Sequence, residues 1–125
     1  MKPKFRAWLK EEYRMTDVRE ITFFNDEVQM ISDVEGFYPY YEFELMQSTG
    51  LKDKNDKEIF EGDIVKFTIT NGFDYVVDEY GAVTYKQGAF FIVKDFAEYL
   101  ISYVYTKEVE VIGNIYENQE LLEGK

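Results

Sequence analysis

The stretch Glu61-Gly62-Asp63-Ile64-Val65-Lys66-Phe67-Thr68-Ile69-Thr70 decides the reading of the fold. Val65, Phe67 and Ile69 alternate with Lys66, Thr68 and Thr70. That period of two turns one set of side chains to a buried face and the other to water, so the segment reads as a half-buried strand. Glu61-Gly62-Asp63 ahead of it reads as a tight turn in which Asp63 accepts backbone N–H bonds. Asn71-Gly72 behind it is a hairpin dipeptide.

Toward the C-terminus, residues 75–77, 82–85 and 89–93 read as further short strands, with Gln87-Gly88 separating the last two. A helix is expected over residues 95–103. Asp95 and Glu98 have the spacing of a capping box, and Phe96, Tyr99, Leu100 and Tyr103 fall on one helical face. A last strand alternates Val109 and Val111 with Glu108 and Glu110 and ends at Gly113-Asn114. Residues 118–122 have the composition for one more helical turn.

Toward the N-terminus, residues 5–8 and 13–18 form a first hairpin candidate. Residues 21–24 and 28–31 form a second around Asn25-Asp26-Glu27. The segment 37–43 reads as an edge strand, because Pro39 cannot donate to a ladder. The expected fold is therefore mainly β (α+β): a small rolled sheet or barrel with one short helix packed on it. From Gly62 to Ile115, strand lengths and the opening Gly-Asp-Ile-Val resemble an SH3-like barrel. With 125 residues and no linker or repeat, one domain spanning 1–125 is expected, with lobes at 1–60 and 61–125 as an alternative.

Composition narrows the chemistry. There are 11 Tyr, 11 Phe and 1 Trp, and aromatic residues reach 18%, an enrichment that favours strands. With no Cys, the chain has no disulfide, no thiolate nucleophile and no Cys-bearing zinc site. With no His, it lacks the usual base near neutral pH and the HExxH metal motif. The net charge is −11, from 25 acids and 14 bases. Lys2, Lys4, Arg6, Lys10, Arg14 and Arg19 crowd the N-terminal segment, whereas Glu20 to Glu44 holds seven acids and no base. No run of about 18 apolar residues offers a membrane span. The N-terminal MKPKFRAWLKEEYRM lacks the apolar core of a signal peptide, so a cytoplasmic location is expected.

Three segments stand out together. They are Lys4-Phe5-Arg6-Ala7-Trp8, the central run from Gln47 through Thr49-Gly50-Leu51-Lys52-Asp53-Lys54-Asn55-Asp56-Lys57-Glu58 to Glu61-Gly62-Asp63-Ile64-Val65, and Val111-Ile112-Gly113-Asn114-Ile115-Tyr116-Glu117-Asn118. In order and spacing they are similar to the YopX family of phage and prophage proteins, and the likeness extends to Leu122. Asp56 stands where the family often has Gly, Ser48 where Tyr is common and Gln119 where Pro is common. The resemblance implies a viral or prophage origin in low-GC Gram-positive bacteria. It implies no reaction, because the family has no established active site.

Each polar cluster has a structural reading beside its functional one. Asp53, Asn55 and Lys57 alternate as calcium-loop ligands do, but the third position is a cation and Glu61 falls too early to close the loop, so a polar hairpin loop is favoured. Glu61 and Asp63 have no third acidic partner with recognisable spacing. Trp8 is either a stacking platform for a base or a core aromatic. Gly50, Gly62, Asp63 and Gly113 are read as structural turn residues.

Tyr38, Tyr40 and Tyr41 form the candidate interaction surface, since tyrosines are enriched at binding hot spots. Core coverage is the competing reading. No catalytic residue, cofactor or metal is assigned. The leading function is a non-enzymatic interaction module with a protein partner. A nucleic-acid-associated accessory protein using the basic N-terminal strands, and an enzyme with a carboxylate-only metal site, are the alternatives. The edge at Pro39 leaves self-association open. Because duplex DNA repels a chain at −11 on average, no retention of duplex DNA is expected at about 0.15 M salt in a filter-binding or mobility-shift assay.

Overall fold

The computed structural model describes residues 4–70 and 75–123, so the expected Asn71-Gly72 turn lies outside the described residues. The chain divides into two compact units, Met1–Gln47 and Ser48–Lys125.

In the first unit, β1 (Phe5–Leu9) pairs antiparallel with β2 (Arg14–Asp17), as the first hairpin candidate implied. Three further strands follow, β3 (Glu20–Phe24), β4 (Glu27–Ser32) and β5 (Phe37–Pro39), and they form a three-stranded sheet in that order. The β3–β4 turn holds Asn25 at φ 51° and Asp26 at φ 65°, left-handed values that match the twist of a tight hairpin and that short polar side chains tolerate. The expected strand over 37–43 is split. β5 stops at Pro39 on the sheet edge, and Tyr40–Glu42 forms a 3₁₀ turn that leads into β6 (Phe43–Lys52). Proline supplies no N–H to continue the ladder. The first part of β6, up to Gln47, pairs with β1. The core of this unit is Ala7, Leu9, Ile31 and Phe43, with Val18, Ile21, Val28, Tyr38 and Leu45 packed around it.

In the second unit, the remainder of β6 pairs with β7 (Glu58–Phe60). β8 (Asp63–Thr70), β9 (Tyr75–Lys86), β10 (Ala89–Lys94), β11 (Ala97–Leu100) and β12 (Val109–Asn114) form one antiparallel sheet in the order β11-β10-β9-β8-β12, curled into a half-barrel. On β8, Val65, Phe67 and Ile69 are buried and their neighbours Lys66, Thr68 and Thr70 are not, as their alternation requires. They pack with Ile59, Val83, Ile92, Ile101, Val104 and Val109. The protein is thus mainly β, and α1 (Glu120–Glu123) is the single α-helix among the described residues.

Two local expectations are corrected. The segment 95–103 is not a helix: it forms β11 and then a 3₁₀ turn over Ile101–Tyr103. Asp95 adopts φ 53° in a two-residue turn closed by Lys94 and Ala97, instead of capping a helix. Glu98 forms an ion pair with Lys86, and Asp95 with Lys94. Of the supposed apolar face, Phe96 and Tyr103 are exposed while Tyr99 packs on Phe67 at 5.6 Å between ring centroids. Pairing with the open side of β10 outweighs the local capping signal.

The strands expected at 75–77 and 82–85 are likewise one strand. Between them Phe67 pairs with Glu79 and Ile69 with Val76, so β9 carries one extra residue. Asp78 takes φ 50° there, and its N–H donates to Thr68 Oγ1 at 3.0 Å. The polar break in the sequence is therefore a β-bulge.

Gly81 lies three residues further along β9, opposite Val65. A Cβ on it would fall 2.7 Å from Ile92 Cγ2 and 2.9 Å from the carbonyl oxygen of Val93. Because one neighbour is backbone, it cannot swing aside. Gly81→Val should therefore cost on the order of 1–3 kcal/mol in urea denaturation. Gly36→Ala, with open space around it, should stay within about 0.5 kcal/mol of wild type in the same experiment.

Candidate functional site

The long central segment concentrates its polar groups on Asp53. This carboxylate is buried, and Oδ1 accepts from the backbone N–H groups of Asn55 at 2.8 Å and Lys57 at 2.9 Å. Oδ2 accepts from the N–H of Val111 at 2.8 Å, which pins the loop to β12. The backbone adds a bond from Lys54 N–H to the Val109 carbonyl at 2.9 Å. Asp53 is thus a turn-forming acceptor, and the Asp53–Lys57 stretch is a hairpin loop. Asp56 takes φ 66°, the conformation for which glycine is the default residue.

The rest of the segment is engaged in the same way. Ser48 hydrogen-bonds Glu58, Thr49 Oγ1 donates to the Ile59 carbonyl at 2.7 Å, and Gly50 N–H donates to Ser48 Oγ at 3.0 Å with Gly50 at φ 82°. Asp63, fully buried, accepts from Phe60 N–H at 2.7 Å across the turn where Gly62 sits at φ 89°. Gly113 lies where a Cβ would meet Asn118 Oδ1 at 2.5 Å, and that oxygen accepts from Asn114 N–H at 3.1 Å. Among the described residues no group of three or more acidic side chains has the arrangement of a metal site.

The first unit has its own buried carboxylate. Asp33 Oδ2 accepts from Thr16 Oγ1 at 2.7 Å and from Arg14 Nη2 at 3.1 Å, and Oδ1 accepts from the N–H groups of Glu35 and Gly36 at 2.8 and 3.0 Å. Burial pushes its pKa up. The Thr16 hydroxyl, the two amides and Arg14 together outweigh burial and hold the carboxyl below the usual carboxylate range. Arg14 also pairs with Glu12 at 2.8 Å and Glu35 at 2.8 Å, and it donates to Tyr38 Oη at 3.0 Å. Its pKa is raised, foremost by the Glu12 hydrogen bond. Tyr38 is half-buried, and desolvation followed by the Asp33 charge raises its pKa.

The candidate tyrosines therefore differ. Tyr38 packs inward and is tied to Arg14, whereas Tyr40 and Tyr41 are 57% and 65% exposed on the 3₁₀ turn, edge to face at 5.4 Å. Exposed beside them in sequence is Phe37, and across the sheet Phe23 and Phe24 stand out at the tip of the β3–β4 hairpin. Sequence reading missed these three phenylalanines as surface residues, because nothing in their spacing separates a solvent-facing aromatic from a core one. Trp8 is buried in β1 and offers no face for stacking a base. No helix among the described residues is long and apolar enough to cross a membrane.

Fold and site define a small, mainly β protein in which the most distinctive polar residues hold turns and strand joins, while its exposed aromatics lie elsewhere. A family model described as YopX protein matches residues 4–123, and the chain belongs to the YopX family. Among solved structures it is similar to the crystal structure of protein EF1440 from Enterococcus faecalis. The two share 31% identity over 98% of this chain and 99% of that one, with a TM-score of 0.71. No curated protein matches the chain.

The Asp33 geometry sets a pH dependence. A folded pKa below the unfolded value, about 3.9, stabilises the fold above that pH, and the stabilisation is lost as pH falls through the folded value. Asp33→Asn should lower stability at neutral pH by about 1–3 kcal/mol through its unmatched donors. In thermal melts the variant and wild type should converge as pH falls from about 5 toward about 2.

Proposed function

We propose that this protein is a non-catalytic interaction module of phage or prophage origin that binds a basic protein through exposed aromatic residues of its first unit. One observation carries the reading. From Glu20 to Glu44 the chain has seven acids and no Lys or Arg, and this same stretch exposes Phe23, Phe24, Phe37, Tyr40 and Tyr41. Exposed aromatic rings supply contact area that becomes favourable once covered, and the surrounding carboxylates steer a cationic partner toward them.

The acids are not all engaged within the unit. Lys10 pairs with Glu44 and Arg14 with Asp33 and Glu35, while Asp26, Glu27 and Glu42 have no ion pair among the described residues. Burial of Trp8 removes the aromatic platform on which a nucleic-acid reading would lean.

The test is capture of a partner from cells carrying the phage or prophage, followed by kinetics on the purified pair. A protein with a basic contact surface is expected, and its association should slow as salt rises from about 0.05 to about 0.5 M. Tyr40→Ala with Tyr41→Ala should raise the dissociation rate by tenfold or more, on the scale of interface hot spots, with an unchanged circular dichroism spectrum. Tyr38 stays untouched because its hydroxyl belongs to the Arg14 network. Co-purification of nucleic acid in place of a protein, or an unaltered dissociation rate in the double variant, would overturn the proposal.

A further inference from the structure

The sheet edges of this protein are not equally protected. β12 is covered by the Asp53 loop through Lys54 N–H to Val109 and Val111 N–H to Asp53. β5 is three residues long and ends in Pro39. β2 carries Arg14, held in ion pairs with Glu12, Asp33 and Glu35. Short edges, prolines and basic residues are the usual means of keeping a foreign strand off an edge.

β3 has none of these. Its five residues, Glu20-Ile21-Thr22-Phe23-Phe24, contain no Pro and no Lys or Arg, and four of them are exposed. Among the described residues β3 pairs with β4 alone, so its other side presents unpaired backbone donors and acceptors. The irregularity in this hairpin places its extra residue, Gln29, on β4, since Thr22 pairs with Met30 and Phe23 with Val28. The bulge therefore does not interrupt β3 itself. Phe23 and Phe24, 60% and 66% exposed, stand on opposite faces of the strand and would flank anything laid beside it.

We infer that β3 is a strand-addition site whose occupant is an extended basic segment of a partner protein, alternating Lys or Arg with β-branched apolar residues. Backbone hydrogen bonds along β3 supply register, and side chains reaching Phe23 and Phe24 supply apolar contact. Glu20 at one end of the strand and Asp26 and Glu27 at the other select positive charge. A second copy of this chain is disfavoured as occupant, because it would bring a further −11 and its own base-free acidic stretch to the same edge. This inference rests on the proposed basic partner and adds the mode by which that partner is held.

The experiment uses the full chain and a fluorescent synthetic peptide of alternating Lys and Val. Two further peptides accompany it, one N-methylated at alternate amides and one with Glu in place of Lys. The Lys–Val peptide is expected to bind and to slow amide exchange at residues 20–24. N-methylation keeps charge and side chains but removes two or three backbone bonds, so affinity should fall by roughly tenfold to a hundredfold. Equal affinity for the N-methylated peptide, or exchange protection confined to other strands, would overturn strand addition while leaving a basic partner in place. Binding of the Glu–Val peptide as tightly as the Lys–Val peptide would overturn the charge reading as well. A dimer in sedimentation that Thr22→Lys abolishes would assign the edge to a second copy and overturn the inference.

Discussion

Asp53 accepts three backbone N–H groups, two from its own loop and one from β12, the last strand of the sheet. It is a contact between residues 58 positions apart, made by a buried carboxylate with charge-assisted bonds to amides that would otherwise go unsatisfied. β12 pairs with β8, and β8 with β9, so a carboxylate in an early loop fixes where the final strand joins the sheet. The neighbouring bonds of Asp63 to Phe60 and of Asn114 to Tyr116 and Glu117 repeat the device at other chain reversals of the second unit. A small β domain has many turns for its length, and short polar side chains that take backbone donors hold them without adding bulk.

The first unit uses the same chemistry around Asp33, with one difference in electrostatics. Asp33, Glu12 and Glu35 gather on the single guanidinium of Arg14. The strands that follow bring no cation of their own, since no base occurs between Glu20 and Glu44. The charged residues of the three-stranded sheet, Glu20 and Glu27, are consequently both acids.

Family identity and surface character reside in different residues. The central segment of the family pattern runs through Thr49, Gly50, Asp53, Glu58 and Asp63, and each of these is engaged in a turn or a strand join. The aromatics exposed between Glu20 and Glu44, namely Phe23, Phe24, Phe37, Tyr40 and Tyr41, lie outside it. Motif residues of this kind maintain a fold.

The strands with clean alternation were legible in the sequence. Val65, Phe67 and Ile69 on β8, the Asn25-Asp26 hairpin and the edge role of Pro39 follow from local periodicity and backbone preference, which a sequence carries directly. The residues 95–103 were not legible, because Phe96, Tyr99, Leu100 and Tyr103 fit a helical period and Asp95 a helix cap, and only pairing with the open side of β10 overrode those local signals. The Asp78 bulge looked like a gap between strands because a one-residue insertion in a ladder has no signature apart from its partner strand. Composition alone fixed the absence of histidine and cysteine chemistry and the charge imbalance. Which aromatics face water was decided by tertiary structure: Tyr38 turns inward to Arg14 and Tyr40 outward two residues later, because the chain leaves the sheet at Pro39 and the alternation of a strand no longer governs where its side chains point.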